Sequence, residues 1–175
     1  ANACECEPYI TADDSLLRTN PEQVLQGMQI LGRVLNPDRM VLAVEDNKQE
    51  AIGIIKPLLQ EYPEIELRVL PTRYPQGSEK QLIQAVTGRQ VPPGALPAAI
   101  GCAVFNINTT CAIFNAITKG MPMISRTMTV AGSGIVEPKN LEVPIGTPIS
   151  YVFDACGGLK ETTYKLVMGG PMMGM

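Results

Sequence analysis

The sequence predicts an α/β fold, an open and mostly parallel sheet followed by a small α+β unit of β-grasp type. Three observations carry this expectation. Helix-like and strand-like segments alternate from Asn20 to Ile117, the pattern of parallel strands joined by right-handed crossovers. The run "MVLAVE" (40–45) is apolar up to its last residue, as in a strand covered on both faces. Beyond Gly120 the pattern changes to a hairpin, one short helix and a last strand.

The elements follow in order. From Asn20 to Leu35 apolar residues recur at Val24, Met28, Leu31 and Leu35, on one helical face. Asn20 is a capping residue type, and Pro21 suits the first helical position. Strand 40–45 leads into "NKQEAIGIIKPLLQEY", a helix with Ala51, Ile54, Ile55, Leu58 and Leu59 in register. Pro57 removes one backbone bond there, so a kink is expected. Asp46 and Asn47 are N-cap types for this helix. "IELRVL" (65–70) alternates and reads as a half-exposed edge strand. In "SEKQLIQAV", Ser78 and Gln81 have the spacing of a capping box. "AAIGCAVF" (98–105) reads as a strand of small residues, and "NINTTCAIFNAI" starts another helix. In "ISRTMTVAGSGIVEPKNLEVPIGT" two strands flank a turn. "PISYVFDACGG" is a short helix ending at glycine, and "YKLVMGG" (164–170) is a final strand. The expected boundary separates residues 1–122 from 123–175.

Composition narrows the function. A chain of 175 residues is long enough to bury a core. Its net charge is −3 and no Lys/Arg cluster exists, so nucleic acid has no electrostatic footprint. No run of about 18 apolar residues is present, which excludes a spanning helix. The first residues do not read as a signal peptide. Cysteines number five; the odd count, and the apolar neighbours of Cys102 and Cys111, favour reduced thiols in the cytosol. Histidine is absent, which removes Ser-His-Asp and Cys-His nucleophilic sites and the usual zinc sites. Carboxylates, a lysine, backbone amides or a cofactor must carry any chemistry.

In an open parallel sheet, ligands settle beyond the carboxyl ends of the strands. Here those ends lead to "EDN", "RYPQGSE" and "NINTT", each just before a helix start. Helix starts favour anions such as phosphate. Gly77 allows close backbone approach to a flat ligand. Asn106, Asn108 and Thr109 supply amides and a hydroxyl, although Asn106 and Thr109 also suit plain capping. Glu79, in a first helical turn, suits a structural role as well. In "NACECEP" (2–8), an extended backbone would point Cys4 and Cys6 one way and Glu5 and Glu7 the other. Two thiols without further ligands make a poor metal site. No CxxC-type cluster run is present. Two carboxylates on one face suit acid–base work or simple solvation.

Several motifs occur in one order along the chain: "NACECEPYITADD", "YPQGSEKQLI", "NINT" and "VPIGTP…CGG…GGPMMG". Together they resemble the C subunit of the Rnf electron-transport complex, a family related to the flavin-bearing subunit of respiratory complex I. The resemblance implies a Rossmann-like fold of the complex I flavoprotein type, followed by a β-grasp domain of the soluble-ligand-binding (SLBB) type. It implies FMN and NADH as cofactors, and 4Fe–4S clusters bound by segments outside this chain. It implies that Asn2 and Glu5 lie along the flavin and that Glu7 matches a nicotinamide-nucleotide position. Gly77 and Glu79 match a turn near the isoalloxazine, with Ser78 in place of an acid. Asn106 and Thr109 match a motif at the phosphate end. Cys4 and Asn108 replace acids of the complex I pattern.

The implied setting is a cytoplasmic subunit, peripheral on the inner face of the cell membrane, with NAD(H) and the other subunits of an ion-pumping complex as partners. The family's Gly-rich FMN loop is expected upstream of Asn2 and its cluster motifs downstream of Met175. The isolated chain is therefore expected to be inactive and to bind FMN weakly. Three rivals remain open: a cobalamin reductase-type relative with the same core, a non-catalytic ligand- or partner-binding module, and a small-molecule α/β enzyme with a carboxylate pair.

Overall fold

The structure, a computed structural model, describes residues 1–175. Three parallel strands form the larger sheet in the order β1-β2-β3: Asn2–Ala3, Met40–Glu45 and Ile65–Leu70. Helices α1 (Ala12–Thr19) and α2 (Pro21–Leu35) lie between β1 and β2 in sequence. Helix α3 (Gln49–Leu58) connects β2 to β3, and α4 (Glu79–Thr87) and α5 (Ile107–Lys119) follow. The antiparallel pair β4 (Ser125–Val130) and β5 (Lys139–Pro144) and helix α6 (Ile149–Asp154) make the small unit.

Strand alternation sorts the large core. Leu42 and Val44 of β2 face a cluster built with Leu16, Leu17, Leu25 and Ile55. Ala43 faces the other way, where Cys4 and Leu82 of α4 meet it. Both faces of β2 are therefore covered, which explains its unbroken apolar run. Strand β3 pairs on one side only and is half-exposed, as expected of an edge. The small unit has its own core of Val130, Ile135, Val152 and Cys156.

Several local expectations are corrected. Residues 98–105 form no strand. Pro97–Ile100 is a 3-10 turn ending at Gly101 with φ +69°, and only Phe105 reaches the sheet, where its carbonyl accepts the Asn2 N–H. Strand β1 is two residues long, so it offers no ladder for a longer partner. Residues 164–170 also form no strand, since β4 and β5 pair with each other alone and Gly169 and Gly170 turn the chain at positive φ. Helix α1 has no counterpart in the expected elements. Ser78 occupies the N-cap of α4 without a side-chain capping bond. Asp46 does not cap α3 either: its carboxylate accepts the Thr72 N–H (2.9 Å) and hydroxyl (2.6 Å), tying β2 to the chain after β3. The helix continues through Pro57 to Leu58, then tightens into a 3-10 turn over Leu59–Glu61.

Candidate functional site

Parallel β1 and β2 end on one edge of the sheet, so the chain leaves at Cys4 and at Asp46 on the same side. Asn2 organises that edge. Its N–H donates to Phe105 (2.7 Å), its Nδ2 donates to the Gly77 carbonyl (2.9 Å), and its Oδ1 accepts the Cys4 N–H (3.0 Å). Gly77 donates its N–H to Cys6 Sγ (3.2 Å). A Cβ on Gly77 would overlap the Cys4 carbonyl oxygen. The close neighbour of this glycine is thus the protein's own backbone, not the flat ligand that its small size first suggests.

The network continues through Asn106. Its Oδ1 accepts the Asn108 N–H (2.8 Å), capping α5, and its Nδ2 donates to Asp13 (2.6 Å). The Asp13 N–H in turn donates to Glu5 Oε1 (2.9 Å), and the Asp14 N–H to Glu5 Oε2 (3.3 Å). Glu5 therefore caps α1 from outside the helix, with Lys48 Nζ 4.0 Å away. Asn2, Glu5, Gly77 and Asn106 belong to one contiguous hydrogen-bonded rim. Strand β1 ends at Ala3 and the Cys6 N–H turns back to the Cys4 carbonyl (3.1 Å), so Glu5 and Glu7 do not share a face. Glu7 instead meets the backbone of Met172 and Met173. Glu79 lies exposed at the start of α4 and joins none of these bonds. Thr109 accepts a bond from Arg126 Nη1 (3.5 Å), which reaches over from β4.

Burial governs the electrostatics. It pushes the Glu5 carboxyl up to about 7, with the Asp13 charge adding and the two N–H donors and Lys48 opposing. Asp13 is also raised by burial, against the Asn106 donor and the charges of Arg126 and Lys48. Glu45, at the end of β2, is 1 % exposed. Neither carboxylate oxygen completes a hydrogen bond, although the Arg73 N–H comes near enough to steady the charge. Burial raises its pKa. Burial, helped by Glu45 and Cys6, pushes Cys4 up to about 12, so this thiol is not a nucleophile at neutral pH. No group of three or more acids and cysteines is arranged to hold a metal.

The donor set at the start of α5 fits a phosphate group. There the parallel bridge of Asn2 with Asn106 turns the Ile107 N–H toward the Asn2 carbonyl, and the Thr109 N–H is left without an intrahelical acceptor. The Thr109 hydroxyl and the Arg126 guanidinium stand beside it, a combination suited to phosphate. A 280 Å³ cavity next to this helix is lined by Asn108, Asn115, Lys119 and Arg126. A larger apolar groove of 590 Å³ runs along Leu31, Leu35, Leu82 and Val104. Asp13, Glu45 and Arg126 are absent from the residues expected at the site. Asp13 lies inside the motif "NACECEPYITADD", and two adjacent acids before an apolar pair were its available signal. Arg126 and Glu45 carried none, because their roles depend on contacts across the fold.

The model of the Nuo51 FMN-binding domain family matches residues 1–115, and that of the SLBB domain matches residues 127–175. The chain belongs to the Nuo51 FMN-binding domain family. As a member of that family it has relatives that bear out the expected resemblance to the C subunit of the Rnf complex. The C subunit of the proton-translocating ferredoxin:NAD(+) oxidoreductase complex of Clostridium ljungdahlii is 46 % identical over 173 residues, 99 % of this chain and 38 % of that one. The C subunit of the ion-translocating oxidoreductase complex of Haemophilus influenzae is 44 % identical, over 99 % of this chain and 26 % of its own length. The corresponding C subunit of Rhodobacter capsulatus is 43 % identical, over 99 % and 34 %. This family member thus spans well under half of each relative. Its fold is shared by an NAD+-reducing NiFe hydrogenase, whose crystal structure in the H2-reduced state matches with TM-score 0.69 and 22 % identity over 89 % of this chain and 32 % of that one. A Nuo51-type α/β unit followed by an SLBB domain is the fold class that the sequence predicts.

Proposed function

We propose that this chain is the core of an electron-transport subunit that binds FMN, exchanges electrons with NADH and passes them to 4Fe–4S clusters bound elsewhere in a membrane ion-translocating complex. One observation carries the reading: Asn2, Glu5, Gly77 and Asn106 share a single hydrogen-bonded rim at the carboxyl edge of the sheet. Residues 1–122 would form the FMN- and NADH-binding unit, and residues 123–175 the SLBB-type unit.

The Thr109 N–H, the Thr109 hydroxyl and Arg126 would hold the phosphate. Asn2, Gly77 and Asn106 would hold the Cys4–Cys6 turn and the start of α5 in place beside the ring. Glu7 and Glu79 would meet hydroxyl and amide groups of the nucleotides, and Glu5, whose two oxygens are taken by the Asp13 and Asp14 N–H groups, would order the start of α1 along the flavin. FMN supplies, when bound, the conversion between two-electron hydride chemistry and one-electron transfer. The names of the relatives, which include ferredoxin:NAD(+) oxidoreductase and ion-translocating complexes, support NAD(H) and fellow subunits as partners. No helix is long and apolar enough to cross a membrane, and we place the subunit peripherally on the cytoplasmic face of such a complex.

The test is a titration of FMN fluorescence with the chain and with its Asn106→Ala and Arg126→Ala variants. Saturable quenching is expected, weakened about tenfold by each substitution, equivalent to about 1.4 kcal/mol. Absence of quenching, or quenching indifferent to both substitutions, overturns the reading.

A further inference from the structure

The first loop and the last turn of the chain meet at Glu7. Its Oε1 accepts the backbone N–H of Met172 at 2.5 Å and of Met173 at 3.3 Å. Successive N–H groups converging on one oxygen form an anion-binding nest. The turn that presents them is closed on itself. Met168 and Met175 exchange both backbone hydrogen bonds (3.0 and 3.1 Å), and the Gly174 N–H donates to Gly170 (2.9 Å). Gly170 has φ +91° and is buried, although its sequence neighbours are mostly exposed. A Cβ there would overlap the Glu7 side chain. The turn is therefore shaped around this carboxylate on two counts, its donors and its missing side chain.

The loop that carries Glu7 is fastened again four residues on. The Thr11 N–H donates to Thr129 Oγ1 (3.0 Å), and Asn140 Nδ2 donates to the Thr11 carbonyl (3.2 Å). Between the two fastenings Tyr9 is 72 % exposed. Its φ is +67°, a conformation bulky residues avoid unless their surroundings impose it.

We propose that the Gly169–Met173 turn of the small unit is a positioning element for Glu7, so that the SLBB-type unit sets the geometry of the acidic edge of the site. With Oε1 taken by the turn, Oε2 carries no protein bond and is left for a ligand at the rim. The meaning of that free oxygen rests on the flavin reading; the latch itself does not.

Amide hydrogen exchange followed by NMR tests it, on the chain and on Glu7→Ala, Glu7→Gln and Gly170→Ala. Exchange at Met172 and Met173 is expected to accelerate at least about tenfold in Glu7→Ala and Gly170→Ala, and to return toward the native rate in Glu7→Gln, which keeps an acceptor oxygen. Leu42 and Val44 amides, which are expected to stay protected, report the fold. Native rates at Met172 and Met173 in Glu7→Ala overturn the proposal. NADH binding is read separately, by fluorescence titration in the presence of FMN: if Gly170→Ala loses protection and binds NADH unchanged, the latch stands and the nicotinamide-nucleotide role of Glu7 fails.

Discussion

Glu5 concentrates the conflict between burial and charge. Its carboxylate is only 5 % exposed and is answered by two N–H groups and one lysine at 4.0 Å. Those partners do not offset the hydration lost on burial, and the Asp13 charge adds to the cost. Between pH 4.5 and about 7 the folded chain keeps the Glu5 proton while the unfolded chain has released it. Stability from this group is thus full below pH 4.5 and is lost as pH rises through 7. The interval corresponds to about 3 kcal/mol. Urea unfolding at pH 4 and pH 8 should show Glu5→Gln with a smaller loss of stability on the alkaline side than the native chain. An unchanged difference between the two pH values would show that Glu5 titrates normally. Glu45 is a second buried acid on this edge, and no feature of the protein answers its charge beyond Lys48 and Arg73.

At the scale of elements, helix starts and strand ends explain most of what local pattern missed. Helix α1 is eight residues long, and its first N–H groups are capped by Glu5, which lies outside it. A window centred on the helix contains no sign of that. The 98–105 segment has strand composition but only a two-residue partner to pair with. Helix α2 shows where packing overrides propensity. Gly27 sits mid-helix, and a Cβ there would overlap the backbone carbonyl of Thr110 in α5. Alanine improves intrinsic helicity by about 1 kcal/mol, whereas overpacking against rigid backbone costs about 1–3 kcal/mol. Packing wins: Gly27→Ala should lower the melting temperature by several degrees in a thermal scan. A variant more stable than the native chain would mean that α2 and α5 separate easily.

The whole molecule is two units joined by polar fastenings, the large one with a core on each face of β2 and the small one with its own. The large core gathers 15 buried residues and the small one four. Between them run the Thr11, Arg126 and Glu7 contacts, hydrogen bonds rather than an apolar seam. Interfaces of that kind let domains open separately. Val152→Ala, worth about 2 kcal/mol in a buried site, should therefore speed hydrogen exchange in β4, β5 and α6 while leaving β2 protected. Faster exchange in both units together would show a single cooperative fold.

The alternation of elements, the covered strand 40–45, the edge strand 65–70 and the change of pattern after Gly120 were legible in the sequence, because hydrophobic periodicity records which faces are buried. The motif order was legible too, and it named the family. Only the tertiary structure decided that Asn2, Gly77 and Asn106 close one network with Asp13, that Arg126 reaches Thr109 from the other unit, and that Glu7 turns away from Glu5. The reason is physical: periodicity reports burial along one element, whereas a hydrogen bond spanning 75, 93 or 165 residues leaves no periodic trace and exists only once the sheet has brought its ends together.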